Sequence, residues 1–277
     1  ARAFDLSRSS RWLYRSMGSV MLLWRASSWI TFGWAPERAR FDRKVWRREW
    51  PRLMRNVLDS CAKHKARLVF FDNVYALDRN SMHNLTEDTP IKPTSKKGRV
   101  RSEIHQMIMD EITRGRVRVI IARCADFYGI KNSVLVEMVY KNLLQNKKAM
   151  WFADADKVHT FTAATDAARA VAVLGNSQDA FNQVWHLPTD ATPMTGRQWV
   201  DLFARLMNKE PRIFVIPIWL LTVMGIFVPV FREFKEMAYQ YDRDYVLNSR
   251  KFESKFNYVP LNPEKGIMQL LSEMKGQ

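Results

Sequence analysis

Ala66-Arg-Leu-Val-Phe-Phe-Asp-Asn-Val-Tyr75 is the stretch on which the fold turns. Its first six residues are apolar apart from Arg67 and show no alternation. A short run of this kind reads as a strand buried on both faces, as strands of parallel sheets are. It opens into Asp72-Asn73-Val74-Tyr75, a polar turn at the carboxyl end of a strand, where open α/β sheets bind ligands. Just upstream, Trp46, Trp50, Leu53, Met54, Val57, Leu58 and Cys61 recur at helical spacing. They predict an amphipathic helix of about 18 residues. Downstream, residues 78–98 are polar and punctuated by proline, hence a loop. A second helix is predicted over about 100–114, with Ile104, Met107, Ile108 and Ile112 inward and Gly115 ending it. Val117-Arg-Val-Ile-Ile-Ala122 is the next strand, opening into Arg123-Cys-Ala-Asp-Phe-Tyr-Gly129. Helix, strand, helix, strand in this rhythm specifies an α/β fold: a parallel sheet with crossover helices.

Further along, helices are expected at about 133–145 and 165–174, and a strand at 181–187. Thr195 is placed to cap a helix carrying Trp199, Leu202, Phe203 and Leu206. Residues 213–231 are uncharged for 19 residues but interrupted by Pro217, Gly225 and Pro229. They read as a buried or pocket-lining helix pair in preference to an interfacial or partner-docking surface or a membrane span. Mean hydropathy of −0.31 fits a protein without spans, so membrane association is not expected.

Composition breaks near residue 43. Residues 1–43 hold eight arginines, seven serines, four of the ten tryptophans and no lysine, whereas all 17 lysines lie from Lys44 onward. Three readings stay open for this segment: an organellar transit-type leader, a short helix built on residues 17–24, or sequence with which the fold did not evolve. A secretory signal does not fit, since Arg25 closely follows the apolar run. The expected organisation is an atypical segment over 1–43, the sheet-forming part over 44–150, and a C-terminal substrate-type region over 151–277.

The formal charge is +16. Basic residues cluster only briefly, as in Lys96-Lys97-Gly-Arg99-Val-Arg101 and Arg114-Gly-Arg116-Val-Arg118, without interleaved aromatics. A specific nucleic-acid partner is therefore not expected, and an anionic small molecule suits the excess equally well. Cys61 and Cys124 lack metal or disulfide spacing and read as buried free thiols, which suits a cytoplasmic, reducing compartment. Five scattered histidines give no metal site.

Several segments, in order, resemble the NAD-dependent epimerase/dehydratases, that is, extended or atypical short-chain dehydrogenase/reductases. Leu68-Val-Phe-Phe-Asp-Asn-Val-Tyr75 resembles the family's fourth strand and the turn after it. Glu87-Asp-Thr-Pro90 resembles the approach to the catalytic helix, and Ile120 to Gly129 the fifth strand with its aromatic-Gly turn. His159-Thr-Phe-Thr-Ala-Ala-Thr-Asp-Ala-Ala168, Val184-Trp-His-Leu-Pro188 and Met194-Thr-Gly-Arg-Gln-Trp199 resemble later elements. The resemblance implies a Rossmann-like sheet and an NAD(P)-dependent oxidoreductase or epimerase/dehydratase acting on a sugar-nucleotide or similar carbonyl/hydroxyl substrate. A homodimer is compatible with it. Two departures follow from the residues. No Gly-x-x-Gly-x-x-Gly turn exists to hold a pyrophosphate, so an incomplete sheet lacking about three strands and their helices is expected, in an atypical or truncated member. Counting back from Glu103, the family's Tyr-x-x-x-Lys falls on Ser95 and Arg99; serine is a poor acid/base and arginine stays charged.

The resemblance makes Ser95 and Arg99 the catalytic positions, with Tyr75 as a substitute acid/base. It makes Asp72, Asn73, Arg123, Ala125 and Phe127 the cofactor-side positions, and His159 and His186 the substrate-side ones. From the residues alone, Arg123 either meets a phosphate or carboxylate or pairs with an acid such as Asp126. The rival functions are a catalytically inactive binding or scaffold protein of the same fold, and a membrane-associated protein anchored through 213–231.

Overall fold

The strand predicted before Asp72 lies inside a six-stranded sheet. The computed structural model describes residues 12–16, 19–26, 29–34, 43–130, 133–190 and 192–275, with side chains from Trp46 onward apart from 229, 230 and 275. Three strands come first, β1 (Trp12–Ser16), β2 (Ser19–Ala26) and β3 (Trp29–Trp34). They pair as an antiparallel meander, so the helical reading of residues 17–24 gives way to a strand over most of that segment. A free-standing helix of that length is marginal, whereas β2 satisfies its backbone against a neighbour on each side. The first 43 residues thus add three strands to the sheet without crossover helices between them.

Helix α1 (Arg43–Lys63) then leads to β4 (Arg67–Asp72), which lies parallel to β3. Helix α2 (Lys96–Thr113) leads to β5 (Val119–Arg123), parallel to β4. A short β6 (Asp126–Tyr128) follows. The helix expected near 133–145 contains a π turn, Val136–Tyr140, before α3 (Lys141–Leu144). That wide turn sets Leu135, Val136, Val139, Tyr140 and Leu143 all inward. Then come β7 (Ala149–Phe152), β8 (Phe161–Ala163), α4 (Ala164–Asn176) and β9 (Gln183–His186). The main sheet runs β1-β2-β3-β4-β5-β9, parallel from β3 onward.

Alternation along β4 and β5 assigns the two faces. Leu68, Phe70, Val119 and Ile121 meet Trp50, Met54 and Leu58 of α1 and Ile104 and Ile108 of α2. Val69, Ile120 and Ala122 point the other way, onto Ala167, Ala170 and Leu174 of α4. This is why both strands read as unbroken apolar runs.

The C-terminal region contributes α5 (Gly196–Leu206), β10 (Ile213–Ile216), α6 (Ile218–Phe227), α7 (Pro229–Met237), α8 (Arg250–Phe256) and α9 (Pro263–Lys275). β10 pairs in parallel with β7, and β6 with β8. Residues 213–231 form a strand and a helix pair as expected in part, but α6 is not buried: Trp219 is 66% and Phe227 79% exposed. Among the described residues no helix is long and apolar enough to cross a membrane.

Thr195 caps α5 in a reciprocal box. Its hydroxyl accepts from the Gln198 amide, and the Gln198 side chain accepts from the Thr195 amide. Thr195→Ala is expected to cost about 1 kcal/mol, read as a lowered urea midpoint with an unchanged slope.

Candidate functional site

Register builds the site. Asp72 ends β4 and pairs with Arg123, which ends β5; Arg123 in turn pairs with His186, which ends β9. Three polar side chains therefore stand in a row along the carboxyl edge of the parallel sheet, each at most 3% exposed. Helix α2 lays Arg101 against the same edge, its Nη1 3.5 Å from Asp72 Oδ1, while Arg123 Nε lies 3.5 Å from Asp72 Oδ2. One carboxylate thus faces two buried guanidiniums. Both approaches lie outside hydrogen-bonding geometry, and among the described residues Asp72 Oδ1, Arg101 Nε and Nη1, and Arg123 Nε and Nη2 have no hydrogen-bond partner. The trio is attracted electrostatically yet under-bonded, an arrangement suited to a ligand bringing acceptor oxygens.

Tryptophans fix Arg101 in place: its guanidinium lies 4.1 Å from the Trp50 ring centroid and 5.1 Å from that of Trp46. Burial works against the Arg101 charge, and Asp72 supports it. One turn earlier, Lys97 is buried with Nζ 3.0 Å from Glu233 Oε2 on α7. One turn later, His105 is held low first by burial and then by Arg123.

The expected catalytic positions land differently. Ser95 is the N-cap of α2, its hydroxyl accepting from the Gly98 amide, and Arg99 is exposed. Lys97 and Arg101 carry the i, i+4 spacing on the inward face. Gly98 lets the helix approach, since a Cβ there would stand 2.2 Å from the Tyr75 carbonyl oxygen. Gly98→Ala is expected to cost about 1–3 kcal/mol by overpacking against backbone, well beyond the gain in helix propensity. Thermal unfolding of the variant checks this.

Tyr75 is partly buried against Trp46, ring centroids 6.4 Å apart. Burial first, then Asp126 and Tyr239, push its phenol far up, so it is a poor proton donor near neutrality. Asn73 Oδ1 accepts from the Tyr75 amide. The Ala125 amide donates to the Thr162 hydroxyl, and Phe127 packs on Phe71 at 5.7 Å. Arg123 pairs with Asp72; Asp126 meets His159 instead, Nε2 to Oδ2 at 3.1 Å, with the Tyr241 hydroxyl donating to the same oxygen. The His159 ring stacks on Tyr241 at 4.3 Å, and its Nδ1 faces the Gln240 carbonyl at 3.2 Å. His186 Nδ1 faces the Asn248 carbonyl at 3.0 Å. Burial, then Arg123, lowers the His186 pKa to about 3.

The polar side chains thus fall into two groups, one around Asp72 and one around Asp126. Sequence reasoning missed Lys97, Arg101, His105 and Tyr241, and gave Asp126 to Arg123 where it meets His159. The available signal was charge on the apolar face of α2. A separate cleft of about 620 Å³, lined by Asp190, Gln198, Asp201, Arg205 and Glu264 among others, involves none of these residues. Among the described residues no group of His, Cys, Asp and Glu could hold a metal. Both cysteines are free and buried; burial lifts the Cys61 pKa to about 11 and, with Asp72 and Asp126, lifts that of Cys124 well up.

A family model, NAD dependent epimerase/dehydratase family, matches residues 42–185. No curated protein matches the chain. Among solved structures, dTDP-glucose 4,6-dehydratase from Bacillus anthracis str. Ames in complex with NAD is 19% identical, with a TM-score of 0.64 over 81% of this chain and 66% of that one. UDP-glucuronic acid 4-epimerase from Bacillus cereus, in complex with UDP-glucuronic acid and NAD, is 14% identical, with a TM-score of 0.66 over 82% of this chain and 67% of that one. UDP-glucose 4-epimerase from Thermus thermophilus, in complex with NAD, is 15% identical, with a TM-score of 0.63 over 80% and 68%. The chain spans about two thirds of the length of these structures.

Among the described residues none supplies a dinucleotide cradle. A pyrophosphate asks for successive glycines at a strand-to-helix turn. Gly129, with φ +83°, stands alone after β6, and Gly98 is closed against the Tyr75 carbonyl.

Proposed function

The chain belongs to the NAD-dependent epimerase/dehydratase family, and from that premise we propose that it binds an anionic, sugar-nucleotide-type ligand at the carboxyl edge of its sheet without the family's tyrosine proton transfer. The observation that carries this reading is the buried trio Asp72, Arg101 and Arg123, with donor atoms that lack partners among the described residues. Arginine offers a planar fork for phosphate or carboxylate and does not give up its proton. The edge is therefore built to hold negative charge, not to shuttle protons. Ser95 is spent on capping and Tyr75 is pushed up, which removes the two hydroxyls that could act as acid/base there.

One observation favours a second reading. Lys97 and Arg101 face inward with the spacing of the family's Tyr-x-x-x-Lys. An NAD(P)-dependent epimerase/dehydratase or reductase with lysine in the acid/base position is its content.

Tryptophan emission separates the two, because Trp46 and Trp50 touch Arg101. Titration with UDP-glucose or dTDP-glucose is expected to give saturable quenching at micromolar levels without NAD(P)H. Arg101→Met abolishes it, and Arg99→Met retains it. The opposite pattern would return the site to the positions counted from Glu103. Saturable NAD(P)H binding, with turnover lost in Lys97→Met, would favour the second reading. No quenching by any of these ligands up to millimolar concentration would remove both.

A further inference from the structure

The uncharged stretch 213–231 presents an apolar face that is left exposed among the described residues. Helix α6 has one polar side chain, Thr222, and its hydroxyl donates to the Ile218 carbonyl at 3.1 Å. Trp219, Val223 and Ile226 follow helical spacing on the outer face and are 66%, 46% and 67% exposed; Phe227 and Val228 extend the patch into the turn before α7. On the opposite side Leu221 is fully buried, so the helix is seated on the core and shows its other face to solvent. A contiguous apolar surface of this size marks an interface. With 10 residues the helix is about 15 Å long, half the hydrocarbon thickness of a bilayer. It can lie in a membrane surface but cannot cross it.

Charge around the patch selects the occupant. On α7, Glu233 and Glu236 turn inward to α2, meeting Lys97 Nζ at 3.0 Å and the Lys97 amide at 2.9 Å. Arg232 and Lys235, on the same helix, are left exposed. The Arg232 guanidinium caps α6 by donating to the Gly225 and Ile226 carbonyls, which puts a cation at the edge of the apolar face. An apolar face with basic residues along its rim matches an anionic lipid surface. A two-fold contact between copies through this face would press two basic rims together. We infer that α6 and the turn into α7 dock this protein on an anionic bilayer. The apolar face enters the headgroup boundary, and Arg232 and Lys235 meet acidic headgroups.

Flotation of the full chain tests this. Recovery with phosphatidylcholine vesicles carrying about 30% phosphatidylserine is expected to exceed recovery with phosphatidylcholine alone roughly tenfold, and to fall in high salt. The double variant Ile226→Glu, Phe227→Glu is expected to lose flotation with unchanged circular dichroism and melting, since both side chains are exposed. Lys235→Glu is expected to weaken binding to the anionic vesicles only. Absence of flotation by the intact chain, or equal flotation by the double variant, would overturn the assignment. So would a dimer in light scattering that the double variant splits.

Discussion

Asp72→Ala is expected to remove about 3–5 kcal/mol of stability, because it leaves Arg101 and Arg123 buried without their counter-charge. Asp72 is 3% and Arg123 1% exposed, so in the unliganded protein solvent compensates little for the missing counter-charge. Asp72→Asn preserves shape and is expected to cost nearly as much, since charge, not volume, is what the two guanidiniums lose. Combining Asp72→Asn with Arg101→Met removes one cation along with the anion, and part of the stability should return. Urea midpoints of the four proteins decide the matter. A cost below about 1 kcal/mol for Asp72→Asn, with no recovery in the double variant, would mean that the trio is not coupled electrostatically.

Acid stability supplies the second large effect. His186 has a folded-state pKa of about 3 against an ordinary value of 6.5, through burial first and Arg123 second. Above pH 6.5 folded and unfolded chains both carry neutral imidazole, so the site adds no pH dependence. As pH falls below 6.5 the unfolded chain takes up a proton that the folded chain refuses. Stability therefore drops by about 1.4 kcal/mol per pH unit until the folded site itself protonates near pH 3. Over that window the loss is roughly 4–5 kcal/mol. His186→Gln is expected to flatten the slope between pH 6 and 4 relative to the parent, as measured by urea midpoints at a series of pH values. Parallel slopes in the two proteins would place the titrating group elsewhere.

Much of the sheet was legible because its strands are buried on both faces. Leu68 to Phe70 and Val119 to Ala122 are all buried, and the stripe from Trp46 to Cys61 fixes the helix that covers them. The strands in residues 12–34 were not legible, because what holds a meander is pairing with neighbours, and a single strand does not display its partner. The site was half legible. Asp72, Arg123 and His186 stand at strand ends, and strand ends can be found from the apolar runs. Lys97 and Arg101 were passed over because counting from Glu103 put the functional spacing on Ser95 and Arg99. The helix starts at Lys96, however, and its geometry puts Ser95 in the cap and turns Arg99 outward. Charged residues on the stripe of Val100, Ile104 and Ile108 were the available clue. For α6, apolarity predicted burial, yet a helix apolar all round can bury only the side that its neighbours reach.

The two free cysteines turn the molecule into its own clock. A thiol reagent attacks thiolate, and both thiols are raised by burial and closed off from solvent, Cys61 at 1% and Cys124 at 4% exposure. Alkylation must therefore wait for an opening event. Cys61 lies on the inner face of α1, and Cys124 follows the end of β5, its thiol directed at the Asp72 carbonyl. Their separate labelling rates time two different motions: the lifting of the helical layer and the parting of the ligand edge. A ligand held by Arg101 and Arg123 would slow the second clock and leave the first running at its own pace.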